Sequence, residues 1–235
     1  MTKSIPKIWA ILPAAGAGKR FSTQKPKQFF ELNGQLVAEH SLRRLKAVPQ
    51  IETIIIPCDI DTVWWSQVPS ISQSNVKQVK GGEQRAHSVL NGLLSLDQVA
   101  SDDDWVLVHD IARPCITPAD INKLINAVEH HSAGGILTAS VNETLKKVSS
   151  DQQIEATIDR AQYRMAQTPQ IFKFSLLKAA IESCLQAGIT PTDEAFAIEH
   201  AGLPVLAVEG RQDNIKITRY EDLAIASAIL NSQES

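Results

Sequence analysis

The sequence predicts an α/β fold, a single doubly wound, mainly parallel sheet with a protruding β-arm. Across residues 1–140, short apolar β-branched runs alternate with segments whose apolar residues recur at helical spacing, as in strands joined by crossover helices. The chain has 235 residues, 43% of them apolar, enough to bury the core of one domain spanning residues 1–235. Over residues 142–168 the pattern changes to short runs of alternating apolar and polar residues around a polar turn, which predicts the arm.

Composition and charge exclude several classes of protein. A net charge of −3 argues against a general nucleic-acid or membrane-surface binder, so we expect neither partner. The three cysteines are far apart and form no CxxC pair, which favours reduced thiols and a cytoplasmic location. No stretch approaches the roughly 20 apolar residues of a membrane span. Pro13 and Lys19-Arg20 interrupt the first apolar run, so it is read as a strand and not as a signal peptide.

The first half of the chain reads as alternating strands and helices. Thr117 is a predicted N-cap, with Pro118 at the first helical position, and Pro57 is expected to end the second strand. Trp64-Trp65 is interpreted as packing on a short helix. Strands are predicted at 8–12, 52–57, 76–79, 105–110 and 135–141, and helices at 35–48, 85–96 and 118–131.

The second half begins with the arm. Two short alternating strands, 144–148 and 154–158, flank a polar turn. Because a two-stranded sheet is marginal in water by itself, we expect it to pack on a partner such as a second copy of the chain. The chain then returns to the core at 168–172. Helices at 174–187, 192–201 and 218–230 and a strand at 205–208 complete the prediction.

A loop of small residues after the first strand is the strongest candidate for a polyphosphate site. Residues 13–20 read PAAGAGKR, and Lys25-Pro26-Lys27-Gln28 follows; small residues admit backbone N–H groups to an anion, and the basic side chains add charge. A Walker A loop is excluded because Pro13 and Arg20 replace its first glycine and its Ser or Thr. Phe21 excludes the dinucleotide fingerprint. The loop alone also fits an ordinary Gly-rich β–α turn with a solvated basic flank.

Three further segments carry polar residues at predicted strand ends. They are residues 81–88, 109–113 and 213–216, and open α/β sheets bind ligands at such ends. Asp110 suits magnesium, which takes few protein carboxylates and several phosphate or water oxygens, although an aspartate after a strand can equally cap a turn. Arg85 and Ser88 share a helix face, or simply mark an exposed helix start. His109 is expected to be structural.

No nucleophile elbow, HExxH motif or zinc spacing occurs in the sequence. A basic loop with one metal-type carboxylate therefore favours charge stabilisation in phosphoryl-type transfer over covalent catalysis.

Taken together, these motifs resemble the 2-C-methyl-D-erythritol 4-phosphate cytidylyltransferases. The resemblance rests on the loop motifs above and on Thr168-Pro169-Gln170, Thr192-Asp193-Glu194 and residues 209–216. It implies a Rossmann-like nucleotidyltransferase fold. It also implies an enzyme of non-mevalonate isoprenoid biosynthesis that joins CTP to methylerythritol phosphate and releases pyrophosphate, with magnesium. A homodimer through the 142–168 arm is implied as well.

The resemblance also assigns roles to residues. Asp110 would hold the metal, and the implied catalytic residues are Arg20, Lys27 and Lys216. The implied CTP-binding residues are Pro13, Ala14, Ala15, Gly16, Gly18, Gly82, Arg85, Ser88, Asp110 and Arg113. Those implied for methylerythritol phosphate are Thr144, Arg160, Thr168, Thr192 and Asp193. Two departures from the family pattern, Glu83 and Ile111, affect local packing or ribose contacts more than the activity.

Two other functions remain open on sequence. A cytidylyltransferase for ribitol or glycerol phosphate would carry similar loops, although Arg160 with Thr192-Asp193-Glu194 favours methylerythritol phosphate. A non-catalytic nucleotide-binding regulatory protein would keep the fold, but the presence of Arg20, Lys27 and Lys216 argues against it.

Overall fold

The computed structural model describes residues 6–16 and 25–234. The strands are β1 (Ile8–Ile11), β2 (Glu31–Leu32), β3 (Gln35–Leu36), β4 (Ile51–Cys58), β5 (Val76–Lys80), β6 (Trp105–Val108), β7 (Gly134–Ser140), β8 (Leu145–Val148), β9 (Ile154–Ile158), β10 (Arg164–Lys173) and β11 (Leu206–Glu209). The α-helices are α1 (Val37–Lys46), α2 (Arg85–Leu94), α3 (Pro118–Val128), α4 (Phe174–Gln186), α5 (Glu194–His200) and α6 (Asp222–Glu234).

In the described part of the chain, seven strands form the central sheet in the order β11-β7-β10-β6-β1-β4-β5. β10 runs antiparallel to β7 and β6, whereas the remaining neighbours are parallel. The chain leaves the sheet through β7, passes through the arm and returns beside β7, so β10 has to run in the opposite direction. The predicted α/β class with a mainly parallel sheet is confirmed.

Helices cover both faces of the sheet, as a doubly wound fold requires. On one face, Leu42 of α1 and Leu124 of α3 are fully buried against strand residues such as Ile54. On the other face, Leu93 of α2 and Leu177 of α4 pack in a second cluster with α5. α1 buries one apolar stripe, which is the pattern that its sequence spacing predicted.

Local signals located several elements correctly. Thr117 caps α3 by accepting a hydrogen bond from the backbone N–H of Asp120, with Pro118 in the first turn. Gly34, at φ 75°, closes the β2–β3 hairpin, so α1 begins at Val37 and not at residue 35. The expectation that Pro57 ends its strand is wrong. Pro57 pairs with Val79 inside β4, and its carbonyl oxygen still accepts a hydrogen bond from Ala14 at 2.8 Å.

The arm is a two-stranded antiparallel hairpin of β8 and β9, separate from the main sheet. Most of its side chains are exposed, including Val148 and Ile154. Among the described helices, none combines the length and apolar character needed to cross a membrane.

Candidate functional site

A cleft of about 150 Å³ lies at the carboxyl ends of β1 and β6. Its floor is held to the sheet because the backbone N–H groups of Leu12 and Ala14 bond to the carbonyls of Ile55 and Pro57, each at 2.8 Å. We call it the nucleotide pocket. It is lined by Pro13, Ala14, Ala15, Gly16, Lys27, Gln28, Gly82, Glu83, Gln84, Arg85, Ser88, Asp110, Ile111, Ala112 and Lys216.

Small residues let the backbones on either side of this pocket come close together. A Cβ atom on Gly81 would lie only 2.3 Å from the Cβ of Ala15, so glycine is required there. Next to it, the Gly82 N–H donates to the Ser88 hydroxyl at 3.0 Å. Opposite, the buried Gln28 amide donates to the Ala14 carbonyl at 2.9 Å. These contacts make a narrow pocket edged mainly by backbone.

Two lysines from distant segments contribute positive charge to the pocket. Lys27 Nζ donates to the Ile217 carbonyl at 2.7 Å, and Lys216 Nζ lies 2.8 Å from Asp110 Oδ2. The proposed third cation, Arg20, lies outside the described residues, as does Gly18. The structure describes two of the predicted catalytic residues, Lys27 and Lys216, and both line the nucleotide pocket.

Asp110 is surrounded by three cations. Arg85 Nε contacts its Oδ1 at 2.9 Å, while Lys216 Nζ and Arg113 Nε approach Oδ2 at 2.8 and 3.6 Å. Burial alone would raise the pKa of this carboxyl, but Arg85 and Lys216 outweigh burial and hold its pKa well below the usual range. Asp110 is therefore a carboxylate at neutral pH.

Arg85 is also held by Glu194, an acid within the motif 192–194 to which the sequence assigned no role of its own. Its Nη1 and Nη2 donate to the two carboxylate oxygens of Glu194 at 2.6 and 3.0 Å, a bidentate pair. Burial opposes the charge of Arg85, but Glu194 and Asp110 raise its pKa above the ordinary value. Glu194 is almost fully buried at the start of α5. Arg85 thus lines the pocket, but two acids already neutralise it.

A second cleft, of about 170 Å³, adjoins the nucleotide pocket, and Arg85, Asp110 and Lys216 line both. We call it the acceptor cleft. It contains Thr168, Thr192 and Asp193, three of the residues that the resemblance assigned to the acceptor. Arg113, expected on the CTP side, lines this cleft instead. Among the described residues, the cleft is lined by Arg85, Asp110, Arg113, Ala166, Gln167, Thr168, Gln170, Thr192, Asp193 and Lys216.

Buried amides that the sequence did not single out hold the acceptor cleft in shape. Gln170 donates to Asp193 Oδ2 at 3.0 Å and accepts from the N–H of Ala195 at 2.9 Å. Asn214 donates to the Thr168 carbonyl at 2.9 Å, and its own carbonyl accepts from Arg113 at 2.7 Å. The signal available in the sequence was their position within the motifs 168–170 and 213–216.

His109 is completely buried and has a structural role, as expected. Its Nε2 lies 3.1 Å from the Arg113 carbonyl and its Nδ1 3.2 Å from Thr168 Oγ1. Burial lowers the pKa of His109 to about 4, so the ring is neutral at physiological pH.

Two predicted acceptor-binding residues do not join the site within one chain. Thr144 and Arg160 lie exposed at the base of the arm, and neither lines the two clefts. Arg160 donates instead to the carbonyl of Asn142. One copy of the chain therefore assembles the nucleotide side and only part of the predicted acceptor side.

Asp110 is the candidate protein ligand for a metal ion. Among the residues that the structure describes, no group of three or more His, Cys, Asp or Glu could hold a metal ion. Magnesium bound to phosphates needs only one or two protein carboxylates. The ionised Asp110, with Glu83 on the same pocket, fits that chemistry.

Comparison with known proteins agrees with this geometry. A family model described as IspD, 2-C-methyl-D-erythritol 4-phosphate cytidylyltransferase, matches residues 8–232. The protein of that name from Tolumonas auensis is 46% identical over 225 residues, 96% of this chain and 97% of the relative. Its counterpart from Acinetobacter baumannii strain ACICU is 45% identical over 228 residues, 97% and 95% of the two chains. The crystal structure of the Francisella tularensis enzyme has a TM-score of 0.79 at 33% identity, covering 95% of this chain and 99% of that chain.

Proposed function

The chain belongs to the 2-C-methyl-D-erythritol 4-phosphate cytidylyltransferase family of non-mevalonate isoprenoid biosynthesis, and from this premise we propose how its two clefts divide the reaction. CTP occupies the nucleotide pocket, and methylerythritol phosphate occupies the acceptor cleft. The observation that carries this assignment is that Arg85, Asp110 and Lys216 line both clefts. The α-phosphate of CTP would lie at that boundary, within reach of an acceptor phosphate.

The nucleotide pocket suits a pyrimidine nucleotide. The backbone at Ala14 and Ala15 and the Gly82–Ser88 corner would bind the cytosine and ribose, with Pro13, Gly16 and Gly18 in the loop that holds the phosphates. At one edge of the pocket Ala15 is in contact with Gly81, which leaves little room there for the larger purine ring. Arg85 supports the pocket through Asp110 and Glu194 and does not serve as a phosphate ligand.

The chemistry is an in-line displacement at the α-phosphorus. A phosphate oxygen of the acceptor bonds to that phosphorus, the bond to the bridging oxygen breaks, and pyrophosphate leaves with the electron pair. Lys27, Lys216 and Arg20 stabilise the charge that grows on the phosphoryl oxygens. Magnesium would be held by Asp110 with phosphate and water oxygens, and when bound it neutralises phosphate charge.

The acceptor side would be completed by a second copy of the chain. Thr168, Thr192 and Asp193 line the acceptor cleft, whereas Thr144 and Arg160 are exposed on the arm. A homodimer through residues 142–168 would bring the arm of one copy to the acceptor cleft of the other. Exposed apolar residues on the arm, Val148 and Ile154, support such an interface. Light scattering at micromolar concentration tests this, since a mass of one chain would contradict the dimer.

We also propose a cytoplasmic location. The three cysteines of the chain, Cys58, Cys115 and Cys184, are buried and form no disulfide. Burial raises the pKa of Cys58 to about 11 and that of Cys115 to about 12. Inert thiols of this kind fit a reducing compartment.

Pyrophosphate release tests the function. We expect turnover with CTP and methylerythritol phosphate, and little with UTP, ATP, ribitol 5-phosphate or glycerol 3-phosphate. Preference for ribitol or glycerol phosphate would transfer the assignment to that acceptor. If wild type and Lys27→Ala both bound CTP with the same negligible turnover, the protein would be a nucleotide-binding regulator.

A further inference from the structure

Gln28 is a buried polar residue in the short turn that also carries Lys27. The turn, Lys27–Phe29, is a single turn of 3-10 helix, and Gln28 is 3% exposed. A buried amide requires hydrogen-bond partners, because an unpaired polar group away from water is costly. The partner of this amide therefore indicates what the residue does.

The amide of Gln28 is bonded to the floor of the nucleotide pocket. Its Nε2 donates to the carbonyl oxygen of Ala14 at 2.9 Å. A carbonyl oxygen has no hydrogen to donate, so the nitrogen of the amide and not its oxygen faces Ala14. Ala14 is itself fixed to the sheet, since its N–H donates to the Pro57 carbonyl at 2.8 Å. Gln28 therefore connects the turn, through Ala14, to a strand of the central sheet.

Lys27 and Gln28 belong to one closed turn. The backbone N–H groups of Phe29 and Phe30 donate to carbonyls three residues earlier, at 3.0 and 3.2 Å, so the backbone of Lys27 cannot shift without its neighbour. At the other end of the lysine, Nζ donates to the Ile217 carbonyl at 2.7 Å. The Gln28 bond thus fixes the backbone end of Lys27, and the Ile217 bond fixes its ammonium end.

A second anchor of the same turn is apolar. Phe29 is 1% exposed, and its ring meets the ring of Trp65 edge-on with the centroids 4.8 Å apart. The burial of an apolar ring is a non-directional contribution, whereas a hydrogen bond weakens steeply as its angle departs from linearity. Phe29 therefore keeps the turn packed against the core, and Gln28 sets its position relative to the pocket floor.

We infer that Gln28 is a positioning residue, which acts through the Ala14 carbonyl to hold Lys27 at the place that the reaction requires. The role rests on the proposed function and deepens it, because Lys27 is there assigned to the charge on the transferring phosphoryl group. That charge grows only in the transition state, so a misplaced Lys27 should lower kcat more than it raises KM for CTP.

Gln28→Met tests the hydrogen bond, because methionine is similar in length to glutamine and has no N–H to donate. We expect kcat for pyrophosphate release, with both substrates saturating, to fall by about 10–100-fold. KM for CTP should rise by a smaller factor than kcat falls. A rise in KM for CTP with kcat unchanged would contradict the role.

Gln233→Met is the matched control. Gln233 Nε2 also donates to a backbone carbonyl, that of Cys115 at 2.9 Å, and Gln233 lines neither cleft. The variant should lose thermal stability and keep the wild-type kcat. A loss of kcat as large as that of Gln28→Met would show that removal of any buried amide bond slows the enzyme, and would overturn the inference.

A double-mutant cycle tests whether Gln28 acts through Lys27. In an enzyme that already carries Lys27→Ala, Gln28→Met should leave kcat almost unchanged, because the side chain that Gln28 positions is absent. Losses of kcat that multiply would show that Gln28 acts independently of Lys27, and would refute the role.

Gln28→Asn provides a second variant if Gln28→Met does not fold. Asparagine keeps the amide but is one carbon–carbon bond shorter, by about 1.5 Å. Either the bond to Ala14 is lost or the turn is drawn towards the floor, so kcat should fall in both cases. A folded Gln28→Asn enzyme with wild-type kcat would overturn the inference.

Failure of the proposed function would look different. Wild-type enzyme without turnover of CTP and methylerythritol phosphate would refute the assignment of the clefts, and the role of Gln28 with it. Turnover that Lys27→Ala abolishes and Gln28→Met leaves intact would refute only the role of Gln28.

Discussion

The nucleotide pocket and the arm both carry residues assigned to the active site, yet they are held in different ways. In the pocket, Asp110 contacts Arg85 and Lys216, and Arg85 is clamped by a nearly fully buried Glu194. In the arm, Arg160 is exposed, and the Lys147–Glu155 pair leaves its side chains 66% and 41% exposed. The first region is organised by its own chain before any ligand arrives. The second has charged side chains that remain largely exposed to solvent, which is why we propose a second copy for it.

The largest effect that separates the two regions should come from Lys216. Lys216→Met removes a cation from the junction of the two clefts, and we expect kcat to fall by about 10²–10³. Lys178→Met is the control, because Lys178 pairs with Asp97 and lines neither cleft. Steady-state pyrophosphate release measures both. Equal, small losses would mean that Lys216 does not stabilise the reaction.

The pH dependence of the free energy of unfolding should report the burial of His109 beside the two clefts. His109 has its pKa lowered to about 4 in the folded protein, so below about pH 6.5 the unfolded chain takes up the proton first. The free energy of unfolding should therefore fall by up to about 3 kcal/mol between pH 6.5 and pH 4. Below about pH 4 the contribution of His109 no longer changes. Asp110, with a depressed pKa, adds its own loss only below about pH 4.

Urea unfolding of wild type and His109→Gln across this range separates the contributions. The variant should show a shallower decline from pH 6.5 to pH 4 because glutamine does not titrate. Parallel profiles for the two proteins would show that another group causes the decline.

Buried and exposed carboxylates give a direct comparison of the two regions. Among the described residues, Glu194→Gln leaves Asp110 as the one acid paired with Arg85. We expect a loss of about 2–3 kcal/mol in the free energy of unfolding, moderated because Arg85 remains partly exposed. Glu155→Gln in the arm should cost no more than about 0.5 kcal/mol. Urea denaturation at pH 7 measures both losses. Equal losses for the two variants would show that the buried and the exposed carboxylate contribute equally to stability.

The smallest effect is expected at the arm. Arg160→Ala should raise KM for methylerythritol phosphate about tenfold through loss of one charged hydrogen bond, with the thermal midpoint unchanged because the side chain is exposed. Lys146→Ala is the control, since Lys146 bonds Thr157 within the hairpin. If Arg160→Ala changed KM for CTP and left KM for methylerythritol phosphate unchanged, Arg160 would not bind the acceptor.

Much of the fold and part of the site can be read from local pattern. Apolar strands, the Thr117 cap and the arm hairpin depend on neighbours within a few residues, so spacing alone reveals them. The Lys27 and Asp110 segments were recognisable because polar residues follow strands whose carboxyl ends meet. Element boundaries shifted where long-range pairing intervened, as at Pro57, whose strand continues beside β5.

The alternation of strands and helices, the basic loop and the family motifs could all be predicted from the sequence, because they depend on residue types and short spacings. Long-range contacts determined the antiparallel course of β10 and the ion pair between Arg85 and Glu194, which are 109 positions apart. Contacts of this kind depend on how distant segments meet when the sheet closes. A hydrogen bond has a donor and an acceptor only once both atoms have been brought together.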